Sequence, residues 1–360
     1  TSLANKSGVS FGLHTLQNFL QHGISSDVSP EPNDSLCYLQ KRTLVRSIAA
    51  ADTIIEVDDP AFLNEVAGWE AHPAAANIIK IGKELIHYEG VSEAAPYVLR
   101  RVQRGYWGTR AVAHEGGNVL YKLQTNCYGG LSPDIFLQDR YADYYADLFK
   151  KNGMNFIDFD GEEGMFYQGH GEYSVKRFYA ALFAATRQRG MDSVRITGAT
   201  LSGGGWHYHS AWNVGGGKNM YVAATRSWGI EGKDLRNVTY GNYFPRSFGG
   251  NFGLTPQSTA REYENIQAIS VGQGVTYMLS LSEKEVESCR EKNAIFRVIR
   301  TWEEARAANA FPSEVLRELS DAANYFHLEK VDADSWDLYK VNREGGDRKL
   351  FVRLKRAAGY

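Results

Sequence analysis

The chain has 360 residues, with 40 Lys plus Arg against 42 Asp plus Glu and a formal net charge of −2. That balance lacks the basic excess of a nucleic-acid binder, and no apolar run approaches the roughly 20 residues of a membrane span. The length exceeds the usual size of a single core, so one large barrel or two to three domains is expected.

The predicted elements begin with a short apolar strand over residues 9–14 (VSFGLH). A polar stretch punctuated by Pro30 and Pro32 follows and suits no regular element. Residues 53–57, 78–81, 84–88, 97–101 and 118–121 are short, β-branched and separated by turn residues, the pattern of a small all-β module. The run RGYWGTRAVAHEGG (104–117) is its longest loop, and a structural role is the better reading of it. From Ser132 the period becomes helical. A helix is expected over 133–151, with Ser132 as N-cap, Pro133 in the first turn and Asn152-Gly153 as its end. A strand over 155–160 (NFIDFD), a helix over 173–189 and a strand over 193–201 come next. Then follow a strand over 237–243, a helix over 259–270, a strand over 274–281 and a helix over 283–308. Strands over 336–341 and 349–354 close the chain as a hairpin or part of a β-domain.

Strands alternating with helices imply βα units and a parallel sheet. The expected fold is therefore α/β, a (β/α)8 TIM-type barrel with an inserted all-β module and a C-terminal β segment. The boundaries read as barrel start 1–40, inserted module 41–125, the rest of the barrel 126–325 and the β segment 326–360. Only five barrel-type strands are legible where eight are needed. The expectation is that N-terminal strands are missing from the chain, and that a second chain or an N-terminal segment completes the barrel.

Two compositional features bear on function: 36 glycines, and a 12% aromatic share that includes 21 tyrosines. Flat rings stack on the C–H faces of sugars, although tyrosines also fill amphipathic core edges. Cys37, Cys127 and Cys289 form no CxxC motif, so a zinc site or dithiol redox centre is not expected, and one disulfide stays open. No signal peptide is visible at Thr1, which says little about export. A periplasmic or secreted location is favoured only if the substrate is a polysaccharide.

The strongest chemical signal is FIDFDGEEG (156–164), which places Asp158, Asp160, Glu162 and Glu163 within six positions at the end of a strand. Alternate strand residues share a face, so Asp158 and Asp160 point the same way, and into the barrel if Ile157 and Phe159 face the helices. Gly161 allows a sharp exit, which leaves Glu162 and Glu163 on the loop. Like charges this close raise at least one pKa, as a proton donor near neutral pH requires. A hard cation such as Ca²⁺ or Mg²⁺ is the competing use of the cluster, and a solvated loop is the plain one. No other cofactor is expected. The second signal is LSGGGWHYHSAWNVGGG (201–217). Its glycines let backbone approach a ligand, while Trp206, His207, His209 and Trp212 bring stacking faces and donors. The spacing of His207 and His209 would also suit a metal, but a third ligand is not evident. Arg261, Glu262 and Glu264 open the helix at 259–270, where acidic residues favour the helix dipole or else reach a ligand. His14, Tyr240 and Tyr243 stand at strand ends where they would contact a ligand.

Three segments carry a resemblance. GLHTLQNFL with SSDVSPEPNDSL, FIDFDGEEGMFYQGHGEYSVKRFY, and STAREYENIQAISVGQGVTYMLSL resemble an uncharacterised group of bacterial (β/α)-barrel proteins. That group is similar to the α-galactosidase and α-glucosidase superfamily of retaining glycoside hydrolases. The resemblance covers roughly residues 9–38 and 130–300. It implies a nucleophilic Asp at the end of the fourth barrel strand, here Asp160, with Asp158 where those enzymes often carry Lys. Ser202 to Gly205 is similar to their loop after the fifth strand. The superfamily's acid/base Asp has no counterpart in NVTYGNYFPRSFGG (237–250), so Glu163, Glu162 or Glu262 would have to substitute.

The function expected is a glycoside hydrolase acting on a polysaccharide or oligosaccharide. Asp160 would be nucleophile or base and a Glu such as Glu163 the proton donor, with His14, Trp206, His207, His209, Trp212, Tyr243 and Glu262 around the sugar. The alternatives are a polysaccharide lyase, with a His or Tyr base and Arg195 neutralising a uronate, or a non-catalytic carbohydrate-binding barrel.

Overall fold

The computed structural model describes residues 6–7, 9–64, 77–125, 129–198, 205–213, 246–321 and 323–358. The chain divides into two compact units, Thr1–His209 and Ser210–Tyr360.

In the first unit, strand β1 (Gly12–Leu16) is followed by β2 (Tyr38–Thr43), β3 (Glu56–Val57), β4 (Ile78–Ile81), β5 (Glu84–His87), β6 (Gly90–Val91), β7 (Tyr97–Arg100) and β8 (Val119–Leu123). Strands β2 to β8 form two antiparallel sheets, in the orders β2-β8-β4-β5 and β3-β7-β6. Leu44, Ile55, Ile79, Ile86, Leu99 and Leu120 fill their common core. Strand β2 has no counterpart in the sequence-based elements, because YLQKRT carries no apolar alternation; its pairing with β8 makes it a strand.

The long 104–117 loop is structural. Glu84, 0% exposed, accepts two hydrogen bonds from the Arg104 guanidinium at 2.7 and 2.9 Å, one from His114 Nε2 at 2.8 Å, and the Gly105 and Val112 amides at 3.0 and 3.2 Å. Trp107 stacks between His22 and Tyr106, and Tyr106 in turn stacks on His87.

Helix α1 (Ile135–Asn152) starts two residues later than expected. Asp134 accepts the Phe136 and Leu137 amides at 2.9 and 2.8 Å, while Pro133 is held in a bridge to Leu36. A carboxylate also favours the helix dipole where a serine does not. Gly153, at φ 64°, ends α1 as expected. Strand β9 (Phe156–Asp160), helix α2 (Glu172–Gln188) and strand β10 (Arg195–Gly198) complete the unit. Strand β9 lies parallel between β1 and β10. Ile157, Phe159 and Ile196 pack on Ala142, Ala146 and Phe149 of α1 and on Val175, Phe178 and Leu182 of α2. One face of this parallel sheet is thereby committed to the helices.

In the second unit, β11 (Ala211–Asn213), β12 (Arg246–Phe252) and β13 (Val275–Leu279) are parallel. Helix α3 (Ala260–Gln273) precedes β13. The single helix expected over 283–308 is two, α4 (Glu283–Ser288) and α5 (Lys292–Ala307), because Cys289 turns extended between them. Helix α6 (Ser313–Ser320) leads to an antiparallel sheet of β14 (Tyr325–Lys330), β15 (Ser335–Val341) and β16 (Lys349–Lys355), one strand more than a hairpin. Trp302, Phe326, Trp336 and Leu338 are its buried centre.

The architecture is mixed α/β, and no closed barrel is seen among the described residues. The strand expected over 237–243, with Tyr240 and Tyr243, lies outside them, as does Cys127. Cys37 and Cys289 are free and buried. No helix among the described residues is long and apolar enough to cross a membrane.

Candidate functional site

The sheet face turned away from the helices carries the candidate chemistry. Register pairs Asp158 with His14 on one side and Thr197 on the other, so these three side chains form a row across β1, β9 and β10. His14 Nδ1 lies 2.8 Å from Asp158 Oδ2, and the Thr197 hydroxyl donates to Asp158 Oδ1 at 2.5 Å. Asp158 is buried at 7% exposure, whereas the His14 side chain is 58% exposed. Asp160 follows on the same face by strand alternation. It is half-buried, and one carboxylate oxygen accepts the Gly161 amide at 2.9 Å. Gly161 leaves the strand in the left-handed region at φ 71°, and a Cβ there would overlap the Phe19 ring.

The acidic run then divides. Glu162 does not sit on a solvated loop. It opens a 3-10 turn (Glu162–Gln168) and is 1% exposed. Its Oε1 accepts the hydroxyl of Tyr179 on α2 and lies 3.1 Å from His209 Nε2, which is itself 3.1 Å from the Tyr179 hydroxyl. Gly198 identifies the face. It is in register with Phe159, which packs on the helices, and a Cβ at Gly198 would overlap the Glu162 carboxylate and come within 2.5 Å of His209 Nε2. Glu162 and His209 therefore occupy the helix side of the sheet, opposite Asp158 and Asp160. A single pocket holding Asp158, Asp160 and Glu162 together is not formed. The side chain of Glu163, in the same turn, lies outside the described residues.

The aromatic segment also splits by exposure. Trp206 is 47% exposed and His207 exposed; their rings meet edge to face at 5.4 Å. Tyr208 stacks inward on Tyr179 and Phe183 at 5.5 and 5.6 Å. The His209 side chain, 0% exposed, is unavailable to a sugar and serves as the partner of Glu162. Trp212 belongs to β11 in the second unit, and its side chain is outside the described residues.

Glu262 has a structural task in the second unit. It closes the capping box of α3, accepting the Thr259 amide at 2.8 Å while Thr259 caps the Glu262 amide. Two residues on, Glu264 accepts from His327 Nδ1 at 2.9 Å, Arg261 at 3.1 Å and the Leu328 amide at 3.1 Å, which ties the helix to β14. These contacts make the acidic opening of α3 a cap and an anchor.

Among the described residues no group of three or more His, Cys, Asp or Glu side chains could hold a metal ion. A cavity of about 570 Å³ opens beside the end of β1, walled by Leu16, Phe19, Ile24, Asp27, Tyr141 and Tyr144 and not by Asp158, Asp160 or Glu162. Thr197 and Tyr179, which hold Asp158 and Glu162, carry no local signal in the sequence; only register and helix packing bring them there.

No family model matches the chain, and no curated protein matches it. Among solved structures it is similar to a GH27 β-L-arabinopyranosidase from Geobacillus stearothermophilus, at 8% identity over 56% of this chain and 46% of that one, with a TM-score of 0.30. It is also similar to AmyP, solved with maltotriose, at 10% identity over 60% of this chain and 57% of that one, with a TM-score of 0.33. The chain spans about half the length of these proteins. Its resemblance to glycoside hydrolases is a distant one.

Proposed function

We propose that the chain is a glycoside hydrolase acting on a polysaccharide or oligosaccharide, built on a (β/α)8-type barrel, with Asp160 attacking the anomeric carbon. The observation that carries this reading is the placement of Asp158 and Asp160 on the helix-free face of a parallel sheet, with Asp160 as the last residue of β9. Sites in such folds gather at the carboxyl ends of parallel strands. Asp160 keeps one carboxylate oxygen without a partner among the described residues, as a nucleophile requires. Trp206 and His207 present exposed rings that would stack on a sugar. Glu262 has no part in this reading, and Glu162 and His209 support the site from behind the sheet.

The test is a polysaccharide and oligosaccharide panel read for new reducing ends and for absorbance of unsaturated products. Reducing ends without absorbance support the hydrolase; absorbance would identify a lyase, and binding without either product a carbohydrate-binding protein. For a substrate so found, Asp160→Asn should lower kcat by at least about 10³-fold while the dissociation constant for the sugar changes by less than about 3-fold, because a nucleophile acts in the transition state rather than in ground-state binding. An Asp160→Asn protein that still turns over would refute the assignment.

A further inference from the structure

We propose that His14 is the proton-transferring residue of this site, with Asp158 and Thr197 as its positioning residues; the inference rests on the hydrolase reading. A glycosidase needs a donor for the leaving oxygen as well as a nucleophile. Of the other nearby carboxylates whose side chains are described, neither supplies it: Asp158 is occupied on both oxygens, and Glu162 is buried on the other side of the sheet against Tyr179 and His209. His14 has the geometry that the role requires. Because Asp158 accepts from Nδ1, the nitrogen that gains and loses a proton is Nε2. Nε2 has no partner among the described residues, and the side chain is 58% exposed on the face that carries Asp160. Asp158 is itself held by the Thr197 hydroxyl, so the ring is fixed through two successive hydrogen bonds. This is the relation of a base to its orienting carboxylate.

The spacing also fits. Leu16, two residues beyond His14, is the register partner of Asp160. Neighbouring strands lie about 4.8 Å apart and two residues rise about 6.6 Å, which puts the His14 and Asp160 Cα atoms roughly 8 Å apart, with both side chains on one face. A glycosidic bond can lie between groups so placed. In the first step an Asp160 oxygen bonds to the anomeric carbon as the bond from that carbon to the leaving oxygen breaks, and the proton on His14 Nε2 passes to that oxygen. In the second step water adds to the anomeric carbon, Asp160 is released, and Nε2 takes the water proton. The ring ends as it began, and no other reactant is consumed.

The experiment uses the full chain and aryl glycosides with good and poor leaving groups, 4-nitrophenyl and phenyl, of the common hexoses and pentoses. His14→Ala and His14→Gln should lose about 10²- to 10⁴-fold in kcat on the phenyl glycoside, the usual contribution of a general acid, and much less on the 4-nitrophenyl glycoside, which leaves unaided. Imidazole added to His14→Ala should restore part of the loss. Thr197→Val, which removes only the hydroxyl on Asp158, should lower kcat on the phenyl glycoside several-fold with KM unchanged. A loss equal on both leaving groups, or a rise in KM alone, would make His14 a binding or structural residue and overturn the inference while leaving the hydrolase reading intact. Full activity in His14→Gln would overturn it too. A wild type that cleaves no glycoside of this panel or the polysaccharide panel fails the hydrolase reading, and this inference with it.

Discussion

Replacing Arg104 by methionine should destabilise the first unit by about 3–5 kcal/mol at neutral pH, because it leaves a fully buried carboxylate without its main counter-charge. Arg104 donates to both Glu84 oxygens and also to the carbonyls of Ala49, Asp52 and Val112 at 2.8, 2.8 and 2.6 Å. The single side chain therefore ties β5 to two loop segments, the turn at Ala49–Asp52 and the stretch at Val112. With a urea slope of about 2 kcal/mol/M, the midpoint should fall by roughly 2 M. The effect should depend on pH in a defined direction. Burial pushes the Glu84 carboxyl up, but the donors from Arg104, His114 and the Gly105 and Val112 amides outweigh it and hold it below its ordinary 4.5. A depressed folded-state value stabilises fully above the unfolded value and is lost as pH falls through the folded one. Without Arg104, burial acts with less opposition, and protonation relieves the buried charge. The gap between wild type and variant should narrow between about pH 7 and pH 4. Urea denaturation at both pH values, followed by tryptophan fluorescence, reads this, since Trp107 lies in the loop concerned. Arg104→Lys keeps the charge without the fork and should recover less than half of the loss. A midpoint close to wild type, or an equal gap at both pH values, would refute the account of Glu84 as the organiser of the loop.

Burial pushes Lys122 down to about 7 from 10.5, so the unfolded chain holds the extra proton across that window and stability should rise with pH through it. Lys122→Met should flatten that rise in chemical melts taken at pH values across the window, and a slope that survives the substitution would assign it elsewhere. His327 is held above its ordinary 6.5 chiefly by its hydrogen bond to Glu264, against burial and with help from Glu329. A raised value means that its contribution is full below about 6.5 and fades as pH rises through the folded value. His327→Gln should therefore lower the stability of the second unit at acidic pH and have little effect at about pH 9; a penalty that does not change with pH would sink that reading. Gly198→Ala puts a methyl into Glu162 and His209, and overpacking of this kind costs about 1–3 kcal/mol. A thermal melt that coincides with wild type would show that the buried Glu162 pair can step aside.

Much of the first unit was legible because its pattern is local. In FIDFD the alternation itself sends Ile157 and Phe159 one way and Asp158 and Asp160 the other, and the packing of α1 and α2 settles which way is inward. The end of α1 at Gly153 and the Gly161 exit rest on backbone conformations that favour glycine, so both were readable from residue type. Strand β2 was not readable, since its partner β8 lies some eighty residues away and its own residues are polar. The acidic run was legible as a cluster in sequence but not as a division in space. Four carboxylates within six positions suggest one site; a strand followed by a 3-10 turn separates Glu162 from Asp158 by the thickness of the sheet. Glu262 and Glu264 show the same limit: their type suits a helix opening, but only the docking of β14 makes Glu264 an anchor.

The sequence by itself determined the local periods, the glycine stops, the β-rich module and the shared face of Asp158 and Asp160, because each depends on neighbours along the chain. Only the tertiary structure decided that His14 meets Asp158, that Thr197 backs it, and that Glu162 turns to Tyr179 and His209. The physical reason is register. His14 lies 144 positions from Asp158, and which residue stands beside it is set by how two strands align, a slip of one residue being enough to send every side chain to the opposite face.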